Sequence, residues 1–578
     1  MIVYRKSEEE IETRHLAMEI LRMAEGVKDG CTHEAATELM IELGRLESGI
    51  ADSLFHERDG VNEISAAMRK ASTAAGHVFR ASWEGRGAEV SSWSDVLTAQ
   101  LVSILSMPLP GRIKTRLPEG YAHYGLFPEV YLQAARDFFE DRRPAQAVCI
   151  GLRSIGTSLS SVVAATLESL GCDVMSFTLR PRGHPFSRKA LLMPELEEVV
   201  TGLKGSFFLL VDEGPGLSGT SFSSVAQRLS RLGVPDGNII IFPSWEPDGS
   251  SFISGEARQR WGRHARYVSY FEDIWVRSGR LQMETGLVGP LKDISAGMWR
   301  GFFYNDEDCP AVHPRHERRK YMVGEPGEAG SVMLKFAGHG RFGASKAARA
   351  ARLSQAGFTM PVKGFTNGFI LSDFVPGRPV TAKDVNQLLL DQMAGYLAFV
   401  KQNFPAQGRM SFDEFVQMAV RNITLGLGED WAKPAARLEG FKGEYAGHEA
   451  VQIDGRMFPF EWLLTGKGYR KTDCLDHHLD QFVPSSQDIA WDLSMTAVEF
   501  EMNPMEQSYF VGRYSAAAGD HVSHERLRFY TIAYLAFRLG YSTFASIELA
   551  GSADGQRFTT LRHRYASALK RELLWLED

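Results

Sequence analysis

Two adjacent carboxylates, Asp212 and Glu213, end an apolar run from Phe207 to Val211 and are followed by Gly214-Pro215-Gly216-Leu217-Ser218-Gly219-Thr220. Small residues let a backbone approach a ligand closely, and a helix opening at Thr220 offers free N–H groups and a partial positive charge to a phosphate. Ser218, Thr220 and Ser221 add hydroxyl donors. The two acids cannot bind phosphate, but they can accept hydrogen bonds from sugar hydroxyls or help hold a divalent ion. The chemistry implied is sugar-phosphate binding. The competing readings are a plain βα turn and an unrelated nucleotide site.

A second strand-loop-helix, VCIGLRSIGTSLSSVVAATLESL, lies upstream, and its loop from Gly151 to Ser158 holds Arg153, Gly156 and Thr157. Downstream, LRPRGHPFSRK carries Arg180, Arg182, His184, Arg188 and Lys189, which read equally as a solvated basic loop or a catalytic one. Tyr121 to Tyr131 reads as packing with exposed aromatics, or alternatively as a cover over a base.

Placing these loops requires a framework. Helical spacing predicts a helical N-terminal region over 1–100, and β-rich runs alternating with helical ones predict a parallel-sheet α/β domain over 101–250. Residues 251–325, rich in Arg, Asp, Gly and Trp, read as an irregular connector with a few β elements, in which His313, His316, Arg318, Arg319 and Lys320 form a solvated linker or, alternatively, a phosphate- or RNA-binding cluster. A last domain is expected over 326–578, giving a multidomain α/β chain.

The stretch from Pro144 to Ser244 resembles the type I phosphoribosyltransferases, which use 5-phosphoribosyl 1-pyrophosphate (PRPP) with Mg2+. The resemblance implies that Asp212 and Glu213 hold the ribose hydroxyls, that Gly216, Ser218, Gly219 and Thr220 cradle the 5-phosphate, and that Gly156 and Thr157 border the pyrophosphate. Arg153 would meet the charge on the leaving group. The usual Thr-Thr-Gly-Gly-Thr is here Gly216-Leu217-Ser218-Gly219-Thr220, so two hydroxyls are missing.

The C-terminal region resembles the aminoglycoside and choline phosphotransferases, whose bilobal fold is kinase-like. SVMLKFAG supplies a strand lysine, Lys335, as a fixed cation for ATP phosphates. In YRKTDCLDHHLDQFVPSSQDIAWDL the resemblance implies Asp473 as catalytic base and Asp480 as magnesium ligand, with Asp488 and Asp492 on the following segment. The chain departs from the pattern in having His478 where an Asn is usual and no acid between Ala344 and Gly357. An exposed strand lysine, a polar loop, and a transition-metal site at His477 and His478 are the alternatives.

Composition bounds the rest. The 578 residues carry a net charge of −7, which offers no bulk attraction to nucleic acid or acidic membranes. The N-terminus lacks a signal-peptide pattern and no segment is apolar enough to span a bilayer, so a cytoplasmic location is expected. Five scattered cysteines read as reduced thiols. Two functions remain open: a bifunctional enzyme with PRPP and ATP as co-substrates and small-molecule partners, or a PRPP or nucleotide sensor with an inactive kinase-like module. The sequence gives no acceptor and no oligomeric state.

Overall fold

The computed structural model describes residues 8–576 apart from 29, 31, 217, 251, 253, 306–308, 326, 327, 329 and 481, so Cys31 and Leu217 lie outside the described residues. It is a mixed α/β structure with three main parts. Helices Thr13–Lys28, His33–Leu54, Glu63–Trp83 and Gly87–Leu105 open the chain. Leu16, Ile20, Leu43, Leu46, Val78 and Leu101 close on one another between these helices. Thr32 caps the second helix by accepting from the Ala35 N–H at 3.2 Å. An antiparallel ribbon pairs Glu8–Glu12 with Arg112–Arg116; no alternation strong enough to reveal it stands in so charged a sequence.

The middle sheet is all parallel, in the spatial order Asp173–Leu179, Gln146–Leu152, Phe207–Val211, Ile239–Phe242, Ala265–Arg266. The second strand in sequence lies on one side of the first and the third lies on the other, so the winding reverses between Gln146–Leu152 and Phe207–Val211. Ligands of open α/β sheets bind outside the carboxyl ends of the strands at such a reversal. The loops after these two strands are the two singled out by their composition.

A five-stranded antiparallel sheet follows, in the order Val362–Thr366, Phe369–Asp373, Val332–Phe336, Lys320–Val323, Leu291–Asp293, with helix Gly340–Gln355 beside it. The β elements expected within 251–325 include two strands of this sheet, Leu291–Asp293 and Lys320–Val323. The histidine-arginine cluster of that segment is not a solvated linker, since His313 and Arg318 are buried. Beyond the sheet stand helices that include Gln387–Asn403, Phe412–Leu427, Ala490–Glu499 and His524–Glu548, and a small sheet made of Gly377–Pro379 and the hairpin Trp462–Thr465, Gly468–Lys471. Among the described residues no helix is long and apolar enough to cross a membrane.

Candidate functional site

Strand Phe207–Val211 delivers Asp212 and Glu213 to the carboxyl edge of the middle sheet, both half-buried. Burial, with Asp212 and Glu119 beside it, pushes the Glu213 carboxyl up to about 8. Burial likewise lifts Asp212 to about 6, against opposing help from the Glu213 N–H and from Arg180 and Arg188. The site thus holds negative charge poorly by itself. Close backbone approach is built in at two glycines. A Cβ at Gly156 would lie 2.5 Å from the Val211 carbonyl oxygen, and one at Gly120 would lie 2.4 Å from Glu213 Oε1.

The other loop residues divide. The Thr220 hydroxyl donates to the Pro185 carbonyl at 2.6 Å and lies 2.9 Å from the Ser218 hydroxyl, so the basic loop folds over the glycine-rich one. Gly219 has φ 63°, and a Cβ there would lie 2.8 Å from the Phe252 ring, so Phe252 as well as any ligand explains the glycine. Gly216 is exposed. The Thr157 hydroxyl points away toward Ser48, at 2.8 Å. Ser154 has φ 134°, a strained backbone for a residue with a side chain, at the mouth of helix Ile155–Ser169.

Arg153 does not face the leaving-group position. Its side chain is 1 % exposed and is held by Asp52, at 2.8 Å, and by Asp59, both from the N-terminal part. The same two acids hold Arg180 and Arg182. These partners lie about a hundred residues away in sequence, which is why the arginines read as available. The exposed aromatics expected between Tyr121 and Tyr131 are likewise absent. Both tyrosines are buried. Tyr131 donates to the Asp212 carbonyl at 2.8 Å, and the Tyr121 hydroxyl lies 2.9 Å from that of Ser158.

In the C-terminal part, Lys335 leaves its strand to form an ion pair with Asp473, two residues past strand Gly468–Lys471. Burial works against the charged carboxylate, but Lys335 and then His477 hold Asp473 well below the usual carboxylate range. The pair opens on a cavity of about 140 Å³ that is also lined by Glu317, Lys320, Asp373, Arg456 and Glu461. Lys335 and Asp473 thus line one cleft.

Asp480 stands elsewhere. Its carboxylate accepts from Arg318 at 3.0 Å and from the Phe482 N–H at 2.9 Å. It lines a neighbouring cavity of about 380 Å³, not the one containing Lys335 and Asp473. Glu317 and Arg456 line both cavities, and Arg456 pairs with Glu461 at 2.8 Å.

The loop before the hairpin went unread in the sequence. Asp454 accepts from the Tyr396 hydroxyl at 2.6 Å and lies 3.5 Å from Lys471 Nζ. Asp492 accepts from the N–H groups of Asp454, at 2.7 Å, and Gly455, at 2.9 Å, so it fixes that loop. Asp488 is bound by Arg526 at 2.6 Å and is structural. His477 bridges the Asp454 carbonyl at 2.9 Å and Asp473 at 3.6 Å. His478 shares no ligand group with it among the described residues.

Helix Gly340–Gln355 offers no acid to Lys335, as read. Lys346 instead donates to Asp476 at 2.9 Å and to the Ala122 carbonyl at 2.6 Å. Burial lowers the Lys346 ammonium to about 8. The turn Gly120–Tyr124 therefore touches Glu213 on one side and this cluster on the other.

No known family profile matches the chain, and no curated protein matches it. Among solved structures, the choline kinase LicA from Streptococcus pneumoniae is similar at 16% identity and TM-score 0.31, over 43% of this chain and 89% of its own. A choline/ethanolamine kinase family protein from Mesorhizobium loti is similar at 13% identity and TM-score 0.36, over 53% and 98%. An aminoglycoside phosphotransferase from Streptomyces rimosus is similar at 15% identity and TM-score 0.28, over 46% and 98%. These similarities extend over about half the chain.

Proposed function

We propose that the C-terminal half binds ATP and transfers its terminal phosphoryl group to a small hydroxylated molecule, and that the middle domain binds PRPP. The observation that carries the first part is the Lys335–Asp473 pair in the cavity beneath the antiparallel sheet. A fixed lysine and an acid beside it are the two groups that phosphoryl transfer places on the phosphates and their metal. The roles read from the sequence therefore change. In this reading Asp473 takes the metal position, because it lines the cavity of the strand lysine, and Asp480, which lines the neighbouring cavity, leaves it.

The carboxylate oxygens of Asp473 and Glu461, lining one cavity, are the hard donors that Mg2+ takes. When bound there, Mg2+ would neutralise phosphate charge. Lys335 would hold the nucleotide phosphates. Arg456, at the junction of the two cavities, would face the charge on the transferring group, and Glu317 beside it would orient the acceptor hydroxyl held in the larger cavity. Calorimetry of full-length protein with ATP tests this. Binding that weakens in EDTA and disappears in Lys335→Met supports the assignment, and no binding by the wild type refutes it.

In the middle domain, Asp212 and Glu213 would accept from the ribose hydroxyls and Gly216, Ser218, Gly219 and Thr220 would surround the 5-phosphate. With Arg153 held by Asp52 and Asp59, and Arg180 by Asp52, Arg188 becomes the cation assigned to the pyrophosphate. Pyrophosphate release from PRPP across a panel of nitrogen bases tests transfer separately from binding.

A regulatory reading is favoured by the turn Gly120–Tyr124, which joins Glu213 to Lys346 and Asp476. In that reading PRPP changes the ATP affinity of the second cleft. Equal ATP affinity with and without saturating PRPP excludes it.

A further inference from the structure

Away from both phosphate clefts, a short 3₁₀ turn, Pro314–His316, is flanked by His313 and closed by His316. Residues three apart on such a turn lie one above the other. The two imidazoles accordingly stack, with centroids 3.7 Å apart and planes 7° from parallel. Their nitrogen lone pairs lie in these parallel ring planes, so a turn of one ring about its Cβ–Cγ bond is needed before both face a single ion. Glu548, the last residue of helix His524–Glu548, meets them, with Oε2 3.2 Å from His313 Nε2.

Among the described residues, His313, His316 and Glu548 bring one possible ligand atom each within 4.8 Å of the others. The His313 side chain is fully buried, and its Nδ1 has no hydrogen-bond partner. His316 Nδ1 lies 3.0 Å from the Tyr541 hydroxyl, the kind of outer hydrogen bond that fixes the ring and tautomer of a metal-bound histidine.

We propose that His313, His316 and Glu548 bind a divalent metal of the zinc type, with a further coordination position open to the 380 Å³ cavity that both histidines line. Two imidazoles and one carboxylate form the donor set of zinc sites that keep a place for water or substrate. Mg2+ and Ca2+ are disfavoured because they select oxygen ligands. Arg315 Nη1 lies 3.3 Å from the other carboxylate oxygen of Glu548, so it steadies the group while leaving Oε2 toward the histidines. The site joins the segment before strand Lys320–Val323 to helix His524–Glu548, and it opens on the cavity assigned to the acceptor. It does not depend on ATP or PRPP binding.

The test uses full-length protein with any affinity tag removed, stripped with a chelator and titrated with ZnCl2 or CoCl2 in excess Mg2+. The expected result is one saturable equivalent of zinc and, with cobalt, the visible absorption bands of a low-coordinate nitrogen-oxygen site. His316→Ala and Glu548→Gln should each lower zinc affinity by at least about tenfold, the scale on which metal sites respond to lost partners. Glu548→Gln keeps the side-chain shape, and circular dichroism checks that both variants fold. Absence of saturable zinc binding by the wild type, or unchanged affinity in both folded variants, overturns the proposal.

Discussion

The two candidate clefts treat buried charge in opposite ways. In the middle domain, Asp212 and Glu213 stand together with Glu119 near, and burial drives both carboxyls upward, to about 6 and about 8. In the C-terminal part four acids are paired with cations: Asp473 with Lys335, Asp454 with Lys471, Asp476 with Lys346, and both Asp476 and Asp480 with Arg318. The first cleft is completed by donors or a cation that a ligand brings. The second is already neutral, so on the proposed reading a nucleotide would exchange its phosphates and metal for contacts that the protein now makes with itself.

The largest effect is expected where that neutrality is broken. Lys335→Met leaves Asp473 buried without its cation, and removing one partner of a buried pair costs roughly 3–5 kcal/mol. Urea unfolding should show a loss of this order together with loss of ATP binding. Lys335→Met combined with Asp473→Asn should recover much of the stability but none of the ATP affinity. A single variant as stable as the wild type would remove the basis of the comparison.

The middle cleft should behave in reverse. Asp212→Asn with Glu213→Gln removes charges that folding buries at a cost, so stability should hold or rise while PRPP affinity falls. Each lost charge-assisted hydrogen bond is worth about 1.5–3 kcal/mol, or about tenfold or more in affinity. Calorimetry beside thermal unfolding separates the two quantities. A loss of stability matching the loss of affinity would mean that these acids support the fold instead.

The same raised carboxyls set a pH dependence. A Glu213 pKa moved from 4.5 to about 8 means the folded state binds this proton more tightly than the unfolded state. The stability it contributes is present below the unfolded value and is lost as pH rises through the folded one. Unfolding of the wild type and of Glu213→Gln, followed from pH 5 to pH 8, should therefore diverge, with the variant gaining relative stability as pH rises. Parallel curves would show that Glu213 is not strained by burial.

Local chemistry made the strand-loop-helix units legible: an apolar run, then acids, then glycines, and a strand lysine followed much later by an acid-rich loop. The strand order that brings the loops after Leu152 and Val211 together has no such local mark, and neither has the pairing of Arg153 with Asp52 and Asp59. Charges that close on one another across a hundred residues look free in one dimension. The same reason hid the burial of His313 and Arg318 in a segment whose composition suggested solvent. Asp454 was passed over because nothing in QIDGRMF marks the hydrogen bonds that Asp492 makes to its backbone.

The smallest expected effect sharpens the contrast through two tyrosines. Tyr131 donates to the carbonyl of Asp212 at 2.8 Å, a neutral hydrogen bond that positions the acid without touching its charge. Tyr396 donates to the carboxylate of Asp454 at 2.6 Å. Removing a neutral bond costs about 1 kcal/mol, and removing one to a charged group about 1.5–3 kcal/mol. Tyr131→Phe should therefore destabilise the fold less than Tyr396→Phe does. It should also weaken PRPP by less than about tenfold, because the carboxylate itself is kept. Matched unfolding curves for the two variants read the order directly. If Tyr131→Phe proves the more damaging, the Asp212 backbone depends on that phenol more than on its own sheet, and the middle cleft is as tightly self-bound as the other.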